Sequence, residues 1–156
     1  MKTLLILVGK TTDKHFHAGI DDYATRIVHY MPFDIVTIPE LRNTKSLSEE
    51  QQKTSEGELI LRQLQPSDTV VLLDEHGREF RSVEYARWLT QKQQTTRRLV
   101  FVIGGAYGFS DAVYERANEK ISLSKMTFSH QMVRLIFTEQ LYRACTIIKG
   151  EPYHHE

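Results

Sequence analysis

Apolar positions recur along the chain with two different spacings. Short β-branched or aliphatic runs occupy Thr3–Val8, Phe33–Ile38, Thr69–Leu73 and Leu99–Ile103, each too uniformly apolar for a half-exposed strand. They predict the central strands of a parallel sheet. Between the first two runs, Phe16, Ile20, Tyr23, Ile27 and Tyr30 recur every three or four residues and mark one face of a helix. The segment Glu49–Leu64 is helix-compatible, and Ser82 is placed to cap a helix carrying Val83, Ala86 and Leu89. Ser110 opens a short helical piece near Asp111–Asn118, and Ile121–Leu123 reads as a brief strand. The last long element runs from about His130 to Ile148. Val133, Phe137, Leu141 and Cys145 (or Ala144) form its stripe, and Met132, Ile136 and Ile148 broaden it enough to suggest two buried faces. Gly150 and Pro152 stop that helix and leave an exposed tail, Glu151–Glu156. Strands and helices alternate, so the expected fold is α/β: a single domain over residues 1–156 with a parallel sheet flanked by helices.

Composition narrows the classes. With 40% hydrophobic and 10% aromatic residues, four Pro and eight Gly, the chain is neither disordered nor collagen-like. Its single cysteine, Cys145, allows no intramolecular disulfide and reads as a core residue, which favours the cytoplasm. The apolar run Leu4–Val8 is too short for a signal segment, and no stretch approaches the roughly 18–20 apolar residues of a membrane span. Twenty basic residues balance twenty acidic ones, so any affinity for RNA must come from local charge or from oligomerisation. Between Ser124 and Lys149, the bases Lys125, Arg134, Arg143 and Lys149 face one acid, Glu139. Four against one leaves a net +3, a candidate RNA-facing patch.

The strongest chemical signal is Gly104-Gly105-Ala106-Tyr107-Gly108, directly after a strand and before the Ser110-capped helix. Glycines there permit positive φ and close backbone approach, and ligands of open α/β sheets lie at carboxyl ends of strands. The pattern is not the GxGxxG dinucleotide fingerprint and carries no P-loop lysine; a tight turn with no ligand fits the spacing equally well. Leu123-Ser124-Lys125-Met126-Thr127-Phe128 is a second loop, also readable as an ordinary connection with Thr127 or Ser129 as helix cap. Asp74-Glu75-His76-Gly77-Arg78 follows a strand end and is either a turn or a crevice wall. On the last helix Glu139 and Arg143 suit an i, i+4 surface pair, whereas arginine forks and the tail's Tyr153, His154 and His155 suit anion recognition and proton handling. His15 and His17 lack partners at metal spacing and read as solvated surface, and the adjacent His154 and His155 do not fit one ion, so no metal site is expected.

Four ordered motifs, FVIGGAYG, ISLSKMTFSHQMVR, EQLYRA and the closing PYHHE, carry a resemblance over essentially the full length. The chain resembles the bacterial ribosomal large-subunit methyltransferase H family of the SPOUT class, which N3-methylates a pseudouridine in 23S rRNA. A local departure is Ser129, where many relatives have Pro. The resemblance implies a carboxyl-terminal trefoil knot, a rare exception to unknotted chains, and a homodimer. It implies S-adenosylmethionine bent among three loops: Leu73; Gly104 and Gly105; and Leu123, Ser124, Lys125, Met126, Thr127 and Phe128. The implied catalytic residues are His154, Tyr153 and Arg143. Arg134, Arg143, Tyr153 and His154 are expected to hold substrate, 23S rRNA within the large subunit or ribosome, without metal or membrane. Two rivals are a non-catalytic ribosome-associated RNA-binding protein and a nucleotide-dependent oxidoreductase using the glycine turn.

Overall fold

A computed structural model describes residues 1–155; Glu156, the last residue of the expected tail, lies outside them. Five strands, β1 (Lys2–Val8), β2 (Phe33–Ile38), β3 (Thr69–Glu79), β4 (Arg98–Ile103) and β5 (Glu119–Ser122), pair in the order β2-β1-β4-β3-β5, every pairing parallel. Five helices connect and cover them: α1 (Lys14–Ile27), α2 (Glu49–Arg62), α3 (Ser82–Thr95), α4 (Asp111–Arg116) and α5 (Met132–Lys149). The period-two geometry of a strand divides the core. Leu5, Leu7, Leu99, Phe101 and Ile103 point to one face, among Ile27, Leu89, Phe137 and Leu141 of α1, α3 and α5. Leu4, Ile6, Val8, Val100 and Val102 point to the other, toward Ile60 of α2 and Val113 of α4. A strand buried on both sides leaves no room for polar alternation, which is why β1 and β4 read as uninterrupted apolar runs.

The remaining elements differ from the sequence reading for identifiable reasons. β2 is an edge strand rather than a central one, and its Asp34 and Thr37 are exposed. Ser82 lies inside α3 instead of capping it; the Arg81 amide is satisfied by the Glu84 carboxylate at 2.8 Å. At α4, Ser110 is the cap, its Oγ accepting from the Val113 amide at 3.3 Å. α5 starts two residues later than expected, with Ser129 Oγ accepting from the Met132 amide at 3.1 Å. Phe137 is core, its ring 4.8 Å from that of Phe101, so the outward side of α5 is carried by half-buried Met132 and Ile136.

β3 runs six residues past the expected Leu73 because the chain bulges there: Leu73 and Arg78 both pair with Ile121, and residues 74–77 loop out between them. Gly77 permits this, since a Cβ at that position would lie 2.6 Å from the Ile121 backbone nitrogen. After β5, at the sheet edge, the chain returns across the strand ends so that α5 packs on α1 and α3. This path is consistent with the knot that the resemblance implies. It is fastened at the crossing: Gln131 accepts from the Thr12 amide at 2.8 Å and donates to Lys10 O at 3.1 Å.

Candidate active site

Carboxyl ends of parallel strands leave backbone groups and loops converging on one crevice. Here they enclose a cavity of about 520 Å³, within the range of small-molecule sites. Its lining brings together Leu73, Gly104, Gly105, Leu123, Ser124, Met126, Thr127 and Phe128, contributed by three loops far apart in sequence. Lys125 does not join them: its ammonium is exposed and points to Glu79, 3.9 Å away. The apolar floor is Ile103, Phe109, Ile121 and Val133.

The glycine turn works differently from the expectation. Gly104 and Gly105 do not have positive φ; Gly108 does, at +84°, and its amide closes the turn on Gly105 O at 3.2 Å. Gly105 is required by close approach from behind, because a Cβ there would stand 2.8 Å from the Glu56 carboxylate on α2. Burial holds that carboxyl above its usual range, against the opposing hydrogen bond from Gln52. The third loop is locked internally: Ser122 Oγ donates to Ser124 O at 2.9 Å, and the Met126 amide donates to Ser124 Oγ at 2.9 Å.

Asp74, Glu75 and His76, raised on the β3 bulge, form one wall, and Tyr114 of α4 donates a short hydrogen bond to Asp74. Burial and that acceptor push the Tyr114 phenol well up, so it remains a donor. The turn-rich composition of 74–78 already made this segment a crevice candidate. Tyr114 and His130, which also line the cavity, carried no pattern that separates them from ordinary surface residues.

Two expectations about α5 and the tail need correction. Arg134 does not present its fork to solvent. It is fully buried, with Nη1 donating to Gly9 O (2.9 Å) and Thr11 Oγ1 (3.0 Å) and Nη2 donating to Val8 O (2.7 Å). A guanidinium committed to the end of β1 has no fork left for phosphate, and burial lowers its pKa. Nor is the tail wholly exposed, since Tyr153 and His154 are half-buried. Tyr153 packs edge-on against Tyr142 at 4.8 Å, under the Arg143 guanidinium, and donates to Glu139 at 3.0 Å. Arg143 bridges Glu139 at 2.5 Å and His154 Nδ1 at 3.0 Å, so the expected surface pair is half of a larger network. None of Glu139, Arg143, Tyr153 and His154 lines the cavity of its own chain. The outlying histidines behave as surface groups, His17 pairing with Asp21 at 3.2 Å. Among the described residues no set of three or more His, Cys, Asp or Glu side chains is grouped to hold a metal, and no helix is long and apolar enough to cross a membrane.

Comparison with known proteins places this geometry in a wider set. The model of a family described as "Predicted SPOUT methyltransferase" matches residues 1–154. Proteins named "Ribosomal RNA large subunit methyltransferase H" are similar over 100% of this chain and 100% of their own length. Among them are those of Bacteroides fragilis (63% identical), Phocaeicola vulgatus (62%) and Porphyromonas gingivalis (55%).

Proposed function

Because the chain belongs to the SPOUT methyltransferase family and is an enzyme, we propose that it transfers the methyl group of S-adenosylmethionine to N3 of a pseudouridine in large-subunit rRNA, as a homodimer. The names of the full-length relatives support the RNA substrate. The observation that carries the donor is the convergence of three separate loops on one cavity of about 520 Å³. Its residues fit such a group: an apolar floor suits a purine, the glycine turn admits close backbone approach, and Asp74 and Glu75 suit a cationic amino acid moiety. When bound, S-adenosylmethionine supplies a methyl group already activated by a sulfonium charge.

The protein's tasks are then to bind, to align and to manage one proton. N3 of the base is a poor nucleophile until that proton leaves. Tyr153 suits positioning rather than deprotonation: burial and its bond to Glu139 raise its pKa, which keeps it a neutral phenol. Arg143, a permanent donor, occupies His154 Nδ1 and so places the ring proton of a neutral imidazole on Nε2. In that tautomer His154 braces Arg143, whose charge supports the developing imidate, and the N3 proton passes to water. Since this network stands off its own chain's cavity, the site is completed in a dimer, the tail of the partner subunit closing over the cavity. Half-buried Met132 and Ile136 supply an apolar face for that contact.

The test is transfer of labelled methyl from S-adenosylmethionine to large subunits and ribosomes purified from a strain lacking the modification, with the modified nucleoside identified by mass spectrometry. Methyl-pseudouridine in the large-subunit rRNA is the expected product. Methyl transfer to another nucleoside, or none in a protein that binds the donor, refutes the proposal.

A further inference from the structure

Resting on the reading that rRNA is the substrate, we infer that RNA phosphates dock on a basic rim beside the cavity, built from Lys10, Lys14, Arg42 and Lys45. The +3 patch read from the sequence does not survive folding as an RNA surface. Arg134 is buried, Arg143 is paired with Glu139, and Lys125 points to Glu79. The strand order supplies a different one. Because β2 and β1 lie on one side of β4, and β3 and β5 on the other, the loops around the cavity divide into two groups.

On the β3 side stands the bulge with Asp74 and Glu75, and Glu79 follows at the end of that strand. On the β1–β2 side stand the loops after Val8 and Ile38. They touch directly: the Gly9 amide donates to Ile38 O at 2.7 Å, and a Cβ at Gly9 would lie 2.7 Å from Glu40 Cγ. Lys10 and Lys14 leave the first loop; Arg42 and Lys45 leave the second. All four are exposed, and none has a carboxylate partner among the described residues. The acids interspersed with them are Asp13, which accepts from the His15 and Phe16 amides as the α1 cap, and Glu40, which packs on Gly9. The rim is thus a field of free cations facing an acidic wall across the cofactor cavity. A polyanion approaching the cavity is drawn to one side and repelled from the other.

The rim is also mechanically tied to the cavity. Gln131 holds both ends of the Lys10–Thr12 segment, and Arg134 holds Val8, Gly9 and Thr11, while His130 and Val133, the residues immediately before them, line the cavity. RNA seated on the rim is therefore referenced to the same short stretch that shapes the donor site.

The experiment compares wild type, the triple variant Lys10→Glu/Arg42→Glu/Lys45→Glu, and a control, Arg87→Glu/Arg97→Glu, that reverses two exposed charges outside the rim. Binding to purified large subunits is measured by co-sedimentation over a range of KCl, and S-adenosylmethionine binding by calorimetry. The triple variant is expected to bind subunits at least about tenfold more weakly, with the slope of log K on log salt reduced by about two to three. Its affinity for S-adenosylmethionine and its kcat at saturating subunits should match wild type, the loss appearing in KM. The control should bind subunits like wild type. Unchanged affinity and slope in the triple variant, or an equal loss in the control, overturns the rim. Wild type that binds the donor yet methylates no subunit rRNA overturns the functional reading instead, and leaves the binding comparison to decide the rim separately.

Discussion

Removing the guanidinium of Arg134 while keeping its aliphatic volume, as in Arg134→Met, isolates what a buried charge does at the end of β1. Three hydrogen bonds vanish, two of them to the buried carbonyls of Val8 and Gly9. Each buried acceptor left without a donor costs about 1–3 kcal/mol, so the two together cost about 2–6 kcal/mol. Part is offset, because the lost charge was itself unfavourably desolvated. A net loss of about 3 kcal/mol is expected, a large share of the roughly 5–15 kcal/mol that holds a domain together. For a chain of this size it lowers the melting temperature by roughly 10 °C. Arg134→Lys keeps the charge without the planar fork and should recover less than half of the loss. Urea titration is the assay, with the midpoint falling at unchanged slope. An Arg134→Met protein within about 1 kcal/mol of wild type would refute the reasoning and leave the burial of this arginine unexplained.

Other perturbations test separate contacts. Gly105→Ala should destabilise by about 1–3 kcal/mol and weaken donor binding, and Glu56→Ala in the same chain should restore much of both, since the new methyl group meets Glu56; absence of rescue places the conflict elsewhere. Glu56 binds its proton more tightly folded than unfolded, so its contribution is complete below the ordinary carboxyl value and is lost as pH rises through the raised one. Glu56→Gln should therefore gain on wild type as pH rises above the ordinary carboxyl range in urea titrations, and a gap that does not change with pH contradicts this. Deleting residues 153–156 should abolish methyl transfer and leave calorimetric donor binding nearly intact, because the tail does not line its own chain's cavity; full activity in the truncated protein refutes the tail's role. Ile136→Glu, on the side of α5 turned away from the core, should sediment as a monomer without activity, and an active dimer refutes that contact face. Burial pushes the Cys145 thiol up to about 12, so aromatic disulfide reagents should label it no faster than the chain unfolds.

The sequence carried the layers and missed the fine assignments, and the division follows from what each signal depends on. Strands β1 and β4 were legible because burial on both faces writes itself into every residue. β2 reads as central in the sequence because Phe33, Ile35, Val36 and Ile38 are apolar enough for a central strand, and only the topology makes it an edge. The bulge at residues 74–77 depends on Gly77 lying against the Ile121 backbone, a long-range contact with no local signature beyond turn residues. Arg134 and Arg143 look alike in sequence, two arginines on one helix. One lies where the chain crosses β1 and is consumed by carbonyls; the other lies more than two turns on and meets the tail. The three cavity loops were each visible as turns, and their convergence was legible only through the order of the motifs.

The clasp between Arg134 and Gln131 on one side and residues 8–12 on the other joins positions separated by 119 to 126 residues. Synthesis proceeds from the amino end, so the first half of this contact leaves the ribosome long before the second exists. A nascent chain can lay down β1, β2, β4 and β3, yet it cannot close the cavity until the segment before α5 has emerged and crossed the strand ends. Contacts of such long range form slowly. The cavity is thus the last part of the molecule to acquire its shape, and a ligand that binds only the closed form captures chains whose crossing is complete.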